Sequence, residues 1–235
     1  MSTIVLIPGG YHGGWYFTPI MNDLRRAGHE AYALTLSGLG GPADRHWAPI
    51  NLETHIEDVV SFIEAERLYD VVLCGHSYGG LVIAAAADRL RGRVRSLLFI
   101  DALVPNDGES VWSTWDPAQR EAFVRNSPDG IVTNPPPGVD ERARPHPLAC
   151  FMQPCRLSSG DYGVKTKVFV WCGGWNDGPF RRVHDRVVAR DNWIVHRVPF
   201  GHDVMNGGAK VIRDIVLATA EGRPERWDIE PSTPN

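Results

Sequence analysis

Short apolar, β-branched runs alternate along the chain with longer stretches whose apolar positions recur at helical spacing. The short runs predict strands at Thr3–Ile7, Glu30–Leu34, Val71–Cys74, Val94–Ile100, Lys167–Trp171 and Trp193–Val198. The longer stretches predict helices near Trp15–Ala27, Leu52–Glu66, Gly79–Ala87, Phe180–Val188 and Ala209–Ala220. Strands that alternate with helices imply an α/β fold. Five of the strands are nearly continuous apolar runs, as a sheet covered by helices on both faces requires. The expected architecture is therefore a mostly parallel, twisted sheet in one domain spanning residues 1–235.

One stretch breaks the rhythm. Between the strand ending near Ile100 and the strand beginning near Lys167, the segment from about 104 to 162 carries NSPDG, TNPPPGVD and RPHPLACFMQP. A crossover needs far fewer residues, so this insertion is read as a small cap over the carboxyl edge of the sheet. A loose surface excursion is the alternative. Trp112, Trp115, Phe123, Phe151 and Met152 weigh against it, because a solvated loop has little use for so many large apolar groups. The tail after Arg223 reads as loosely docked.

Composition narrows the class further. A net charge of −4 gives no footprint for nucleic acid or an anionic membrane surface. No apolar run approaches a membrane span, and the opening MSTIVLIPGG lacks a basic leader region. A cytoplasmic protein is expected. Cys74, Cys150, Cys155 and Cys172 fit reduced, buried thiols there. Cys150 and Cys155 stand close in sequence, but no second pair completes a zinc spacing, so no metal is expected.

The chemistry concentrates in VVLCGHSYGGLVIAAAA, where an apolar strand runs through Gly75-His76-Ser77-Tyr78-Gly79 into an alanine-rich helix. The motif G-x-S-x-G is weak alone. Between a strand and a helix it describes a sharp turn that lifts the Ser77 hydroxyl above the sheet edge. Gly80 extends the small-residue surface that lets the helix pack closely. A serine needs a base, and His202, in VPFGHDVM after the last strand, is the best placed of nine histidines. His76 reads as support for the turn, and His12 as a residue able to reach the pocket. The acid that orients the imidazole is expected at Asp177, in the loop after the fifth strand, with Asp107 as its rival. Asp101 reads as structural, and Asp203 is too near His202 in sequence to orient it. The oxyanion donors expected are the backbone N–H groups of Tyr78 and Gly10, the latter in the loop IPGGYHGGW. That loop fails the spacing of a dinucleotide site, and no acidic residue closes the second strand. No organic cofactor is expected.

With these residues in place, the chain resembles bacterial α/β-hydrolases related to plant methylesterases and hydroxynitrile lyases. The likeness runs from VLIPGGYHGGWYFTPIMNDLRRAGHEAYALTLSGLG through GHSYGGLVI and IDALVPNDGES to GHDVM. It implies an α/β-hydrolase fold, a triad of Ser77, His202 and an acid near Asp177, and an oxyanion hole at Gly10 and Tyr78. Departures are Pro8-Gly9 where the family usually has His-Gly, Thr35 where an Asp commonly ends the second strand, and Trp175 near the family's acid. The function expected is hydrolysis of a small, largely apolar or aromatic carboxylic ester through an acyl-enzyme. Tyr11, His12, Trp112, Trp115, Phe151 and Trp175 are the candidate substrate contacts. Carbamate, amide or lactone cleavage would use the same machinery. A carbon–carbon lyase is disfavoured, because such enzymes are expected to carry a threonine at Gly9 and a lysine at Asp203. A non-catalytic sensor is the third class, set against by the intact Ser77 and His202. The expected partner is a small molecule. A homodimer packed through the apolar cap is compatible with the sequence but not demanded by it.

Overall fold

A computed structural model of the chain describes every residue except 42–48, 176–179 and 225–235; Asp177 and most of the tail lie outside the described residues. Six strands form one parallel sheet: β1 (Thr3–Ile7), β2 (Glu30–Ala33), β3 (Val71–His76), β4 (Val94–Ile100), β7 (Thr166–Cys172) and β8 (Ile194–Val198), in the order β2-β1-β3-β4-β7-β8. Between β4 and β7 a short antiparallel pair, β5 (Val132–Thr133) and β6 (His146–Pro147), stands apart from the main sheet.

Alternation along the strands divides the core in two. Val5, Ile7, Leu73, Leu97 and Phe99 pack on one side with helices α2 (Leu52–Ala65) and α3 (Gly79–Arg89). Ile4, Leu6, Val72, Leu98 and Val168 pack on the other with α1 (Thr18–Arg26) and α8 (Met205–Ala220). The predicted helix over Trp15–Ala27 is in fact a 3-10 turn, Gly14–Phe17, followed by α1, whose start coincides with Pro19 in the first turn. The predicted helix over Phe180–Val188 forms as α7 with those bounds, and the last predicted helix, α8, begins earlier, at Met205, and carries a kink at Asn206 and Gly207.

The order of strands fixes where a site can form. The chain leaves β1 toward β2 on one side and β3 toward β4 on the other, so β1 and β3 are neighbours at the point where the winding reverses. Loops there diverge and open a crevice at the carboxyl ends of the strands. The Ser77 turn follows β3, and the glycine-rich loop follows β1.

Residues between β4 and β7 build α4 (Val111–Thr114), α5 (Pro117–Arg125), the β5–β6 pair and α6 (Leu148–Met152). The two ends of this excursion are zipped together: Gly108 N–H donates to Cys155 C=O at 2.8 Å and Cys155 N–H to Glu109 C=O at 2.7 Å. Farther along, Asp88 at the end of α3 accepts from the Ser158 amide at 2.6 Å, from its hydroxyl at 2.8 Å and from the Ser159 hydroxyl at 3.1 Å. Burial alone would raise the Asp88 carboxyl, but these donors and Arg91 outweigh it and hold it below the usual carboxylate value. Asp88→Ala is expected to cost about 2 kcal/mol, because it removes the buried carboxylate to which the Ser158 amide and hydroxyl donate, as read from the urea midpoint at pH 7. The lowered carboxyl sets the sign with pH. Its contribution is present above the ordinary aspartate pKa and is lost as pH falls through the lower folded value, so the variant and wild type should converge in strong acid.

Candidate active site

Ser77 leaves β3 in the left-handed region, at φ 53°, and its N–H donates to Ile100 C=O at 3.2 Å. The turn is tight enough to exclude side chains on both flanks. A Cβ on Gly79 would lie 2.7 Å from the Ile7 carbonyl, and one on Gly80 would lie 2.1 Å from that of Leu103. Gly79 therefore sets the helix against β1, and Gly80 sets it against the loop after β4.

His202, four residues past β8, brings Nε2 to 2.9 Å from Ser77 Oγ. Its Nδ1 lies 2.7 Å from Asp101 Oδ2. The acid on His202 is thus Asp101, and this corrects two expectations. Asp177 was to fill that place; it lies outside the described residues, and the Nδ1 position it would need is occupied. Asp107, its rival, is spent on the cap, accepting from Leu157 N–H at 2.9 Å. Asp101, read as structural, follows β4 directly, is fully buried, and adopts φ 40°. Its N–H donates to Val170 C=O, and Oδ1 accepts from Cys172 N–H at 3.2 Å, leaving Oδ2 to face the imidazole. The signal was in the register: His76 of β3 pairs with Ile100 of β4, so the next residue on each strand is Ser77 and Asp101.

His76 is buried and stacks on Tyr16 with ring centroids 4.7 Å apart, while its Nε2–H donates to the His202 carbonyl at 2.9 Å. It holds the backbone of the histidine as well as the turn. Phe180 and Trp175 lie nearly parallel to the His202 ring, at 4.7 and 5.0 Å. Sequence reasoning missed Phe180, which read as an ordinary apolar position at the start of a helix.

A cavity of about 800 Å³ opens over Ser77, and its wall includes Gly10, Tyr11, His12, Tyr78, Trp115, Phe151 and Trp175. Trp112 is not in that wall, contrary to expectation; it turns away to pack on Phe123 and beneath the Arg120 guanidinium. Gly10 is closed in by Phe151 of α6, since a Cβ there would lie 2.9 Å from Phe151 Cζ. Tyr78, the N-cap residue of α3, directs its hydroxyl to His55 Nδ1, 3.0 Å away. Most of the wall is apolar, with Leu103, Val111 and Phe123 among its members, and among the described residues it contains no lysine or arginine. Among the described residues, no helix is long and apolar enough to cross a membrane.

Comparison with known proteins agrees with this architecture. A carbendazim hydrolyzing esterase of Nocardioides sp. is 35% identical, with 87% of this chain and 94% of that protein aligned. Methylesterase 3 of Arabidopsis thaliana is 28% identical over 57% of this chain and 52% of its own. Among solved structures, an extracellular α/β-hydrolase from a Paenibacillus species superimposes with a TM-score of 0.78 at 20% identity, covering 94% of this chain and 99% of that one. The pattern of the alpha/beta hydrolase family matches residues 4–221, and with the sheet order and the serine turn it shows that the chain belongs to that family.

Proposed function

We propose that this protein hydrolyses small, largely apolar or aromatic carboxylic esters through an acyl-enzyme on Ser77. The observation that carries the reading is the unbroken line from Ser77 Oγ through His202 to Asp101, set under an apolar cavity. Ser77 Oγ attacks the ester carbonyl as its proton passes to His202 Nε2. Asp101 accepts from His202 Nδ1–H, which keeps the lone pair on Nε2 and stabilises the imidazolium that forms. The N–H groups of Gly10 and Tyr78 receive the charge that develops on the carbonyl oxygen. His202 then returns the proton to the leaving alcohol, and water releases the acid by the same steps. Among the described residues the wall holds no lysine or arginine, which suits a neutral ester and offers the carboxylate product no such cation to hold it.

The curated relatives support esters as the substrate class, and the Nocardioides relative supports carbendazim as a member of the test set. The four thiols are buried and unpaired, which supports a reducing compartment, the cytoplasm. Wild type and Ser77→Ala should be assayed against p-nitrophenyl and aryl methyl esters, carbamates, lactones and carbendazim. The expected result is turnover of at least one aryl ester by wild type and a loss of about 10⁵-fold or more in Ser77→Ala. Turnover that survives in Ser77→Ala would sink the reading.

A further inference from the structure

Tyr11, the residue after Gly10, is held in the left-handed region at φ 70°. A bulky residue stays there only where its surroundings over-determine it. Here the cap does so. Arg144 N–H donates to Tyr11 C=O at 2.8 Å, the Tyr11 hydroxyl lies 3.4 Å from Thr133 Oγ1, and Tyr11 N–H donates to His146 Nδ1 at 3.2 Å. On the other end of the same peptide group, the Gly10 carbonyl accepts from His12 Nδ1–H at 2.7 Å. One peptide plane is thus gripped at both ends by histidines of fixed and opposite roles, one donating and one accepting.

We propose that His146 is a positioning residue for the oxyanion hole: by accepting the Tyr11 N–H it fixes the Gly10–Tyr11 peptide, and with it the Gly10 N–H, beside Ser77. The inference rests on the ester-hydrolase reading above. His146 is fully buried and belongs to β6, so the grip comes from the cap and not from the sheet. With Nδ1 accepting, the neutral ring carries its proton on Nε2, and that atom has no partner among the described residues. An unpaired buried donor is costly. A ring retained at that cost for packing alone would be better replaced by an apolar one; the lone pair on Nδ1 is what an apolar ring could not supply.

A metal is the competing use of this histidine, since His55, His146 and Cys150 bring ligand atoms within 4.8 Å of one another. The histidine lone pairs are already committed. His55 Nε2–H donates to Ser37 C=O at 2.9 Å, its Nδ1 faces the Tyr78 hydroxyl, and a metal on His146 Nε2 would force a proton onto Nδ1 against the Tyr11 N–H. The cluster is therefore a hydrogen-bonded scaffold behind both oxyanion residues, Tyr78 and Gly10.

The test uses the full chain and two readouts, the rate of Ser77 labelling by a fluorophosphonate and kcat on the preferred ester. His146→Leu is expected to slow both together by up to about 100-fold, the scale of losing one oxyanion donor, with KM little changed. His146→Asn, whose amide oxygen can take the place of Nδ1, is expected to restore most of both rates. His146→Gln sets its oxygen farther out and should remain slow, so the Asn and Gln pair carries the test if His146→Leu does not fold. Labelling and kcat at wild-type rates in His146→Leu would overturn the proposal, as would an Asn variant no faster than Gln. A wild type never labelled at Ser77 overturns the ester-hydrolase reading itself, which separates the two failures.

Discussion

Asp101→Asn lowers kcat/KM by about 10⁴-fold on any ester the protein accepts, whereas Asp177→Asn leaves it near wild type. The size follows from tautomers. Asparagine fills the same buried space and still accepts from Cys172 N–H, but the group it turns toward His202 is then an amide donor. The imidazole responds by moving its proton to Nε2, where it can no longer take one from Ser77. Steady-state kinetics on the three proteins decides the matter, with thermal unfolding as a check that Asp101→Asn stays folded. A large loss in Asp177→Asn with Asp101→Asn unaffected would return the acid to the loop after β7.

Stability should fall steeply once the pH drops below about 6.5, well before the carboxylates titrate. His55, His76 and His146 are buried, and each is held neutral by burial first; for His76 and His146 neighbouring histidines add to the effect, while for His55 the Ser37 carbonyl partly opposes it. A histidine lowered in the fold is protonated in the unfolded chain from about pH 6.5 downward. The unfolded state therefore binds more protons, and stability declines with falling pH until the folded values are reached. Each group contributes a slope of up to about 1.4 kcal/mol per pH unit, and three together about 4. Set against a typical total of about 5–15 kcal/mol, a slope of that size is a large fraction of the stability per pH unit. Urea midpoints at pH 7.5, 6.5 and 5.5 measure it. A midpoint that stays flat across that range would rule out the neutral, buried state of these rings.

The sheet was legible in the sequence because its strands are buried on both faces, and a strand without a polar side leaves a continuous apolar run. Ser77 and His202 were legible because each sits at a break in such a run. The acid was not. An aspartate directly behind FI, followed by ALVP, looks like part of the core, and its role appears only when β3 and β4 are laid side by side so that residues 77 and 101 end level. The stretch between β4 and β7 was visible as an insertion of large apolar residues, yet its elements were not, since α4, α6 and the β5–β6 pair are each five residues or shorter and too brief to show a period. Trp112 illustrates the limit: one position in a four-residue helix decides which of two tryptophans, 112 or 115, meets the cavity.

Placing the acid at the end of a central strand divides the molecule's labour. Ser77 and Asp101 are anchored by neighbouring strands deep in the sheet, where any change in main-chain path disturbs the whole core. The loop after β7 is left to form part of the cavity wall, through Trp175, without having to carry a charge at a fixed point. Natural drift or directed evolution can therefore exchange residues along that rim and alter which acids and alcohols are admitted, while the reaction centre inherits its geometry unchanged from one descendant to the next.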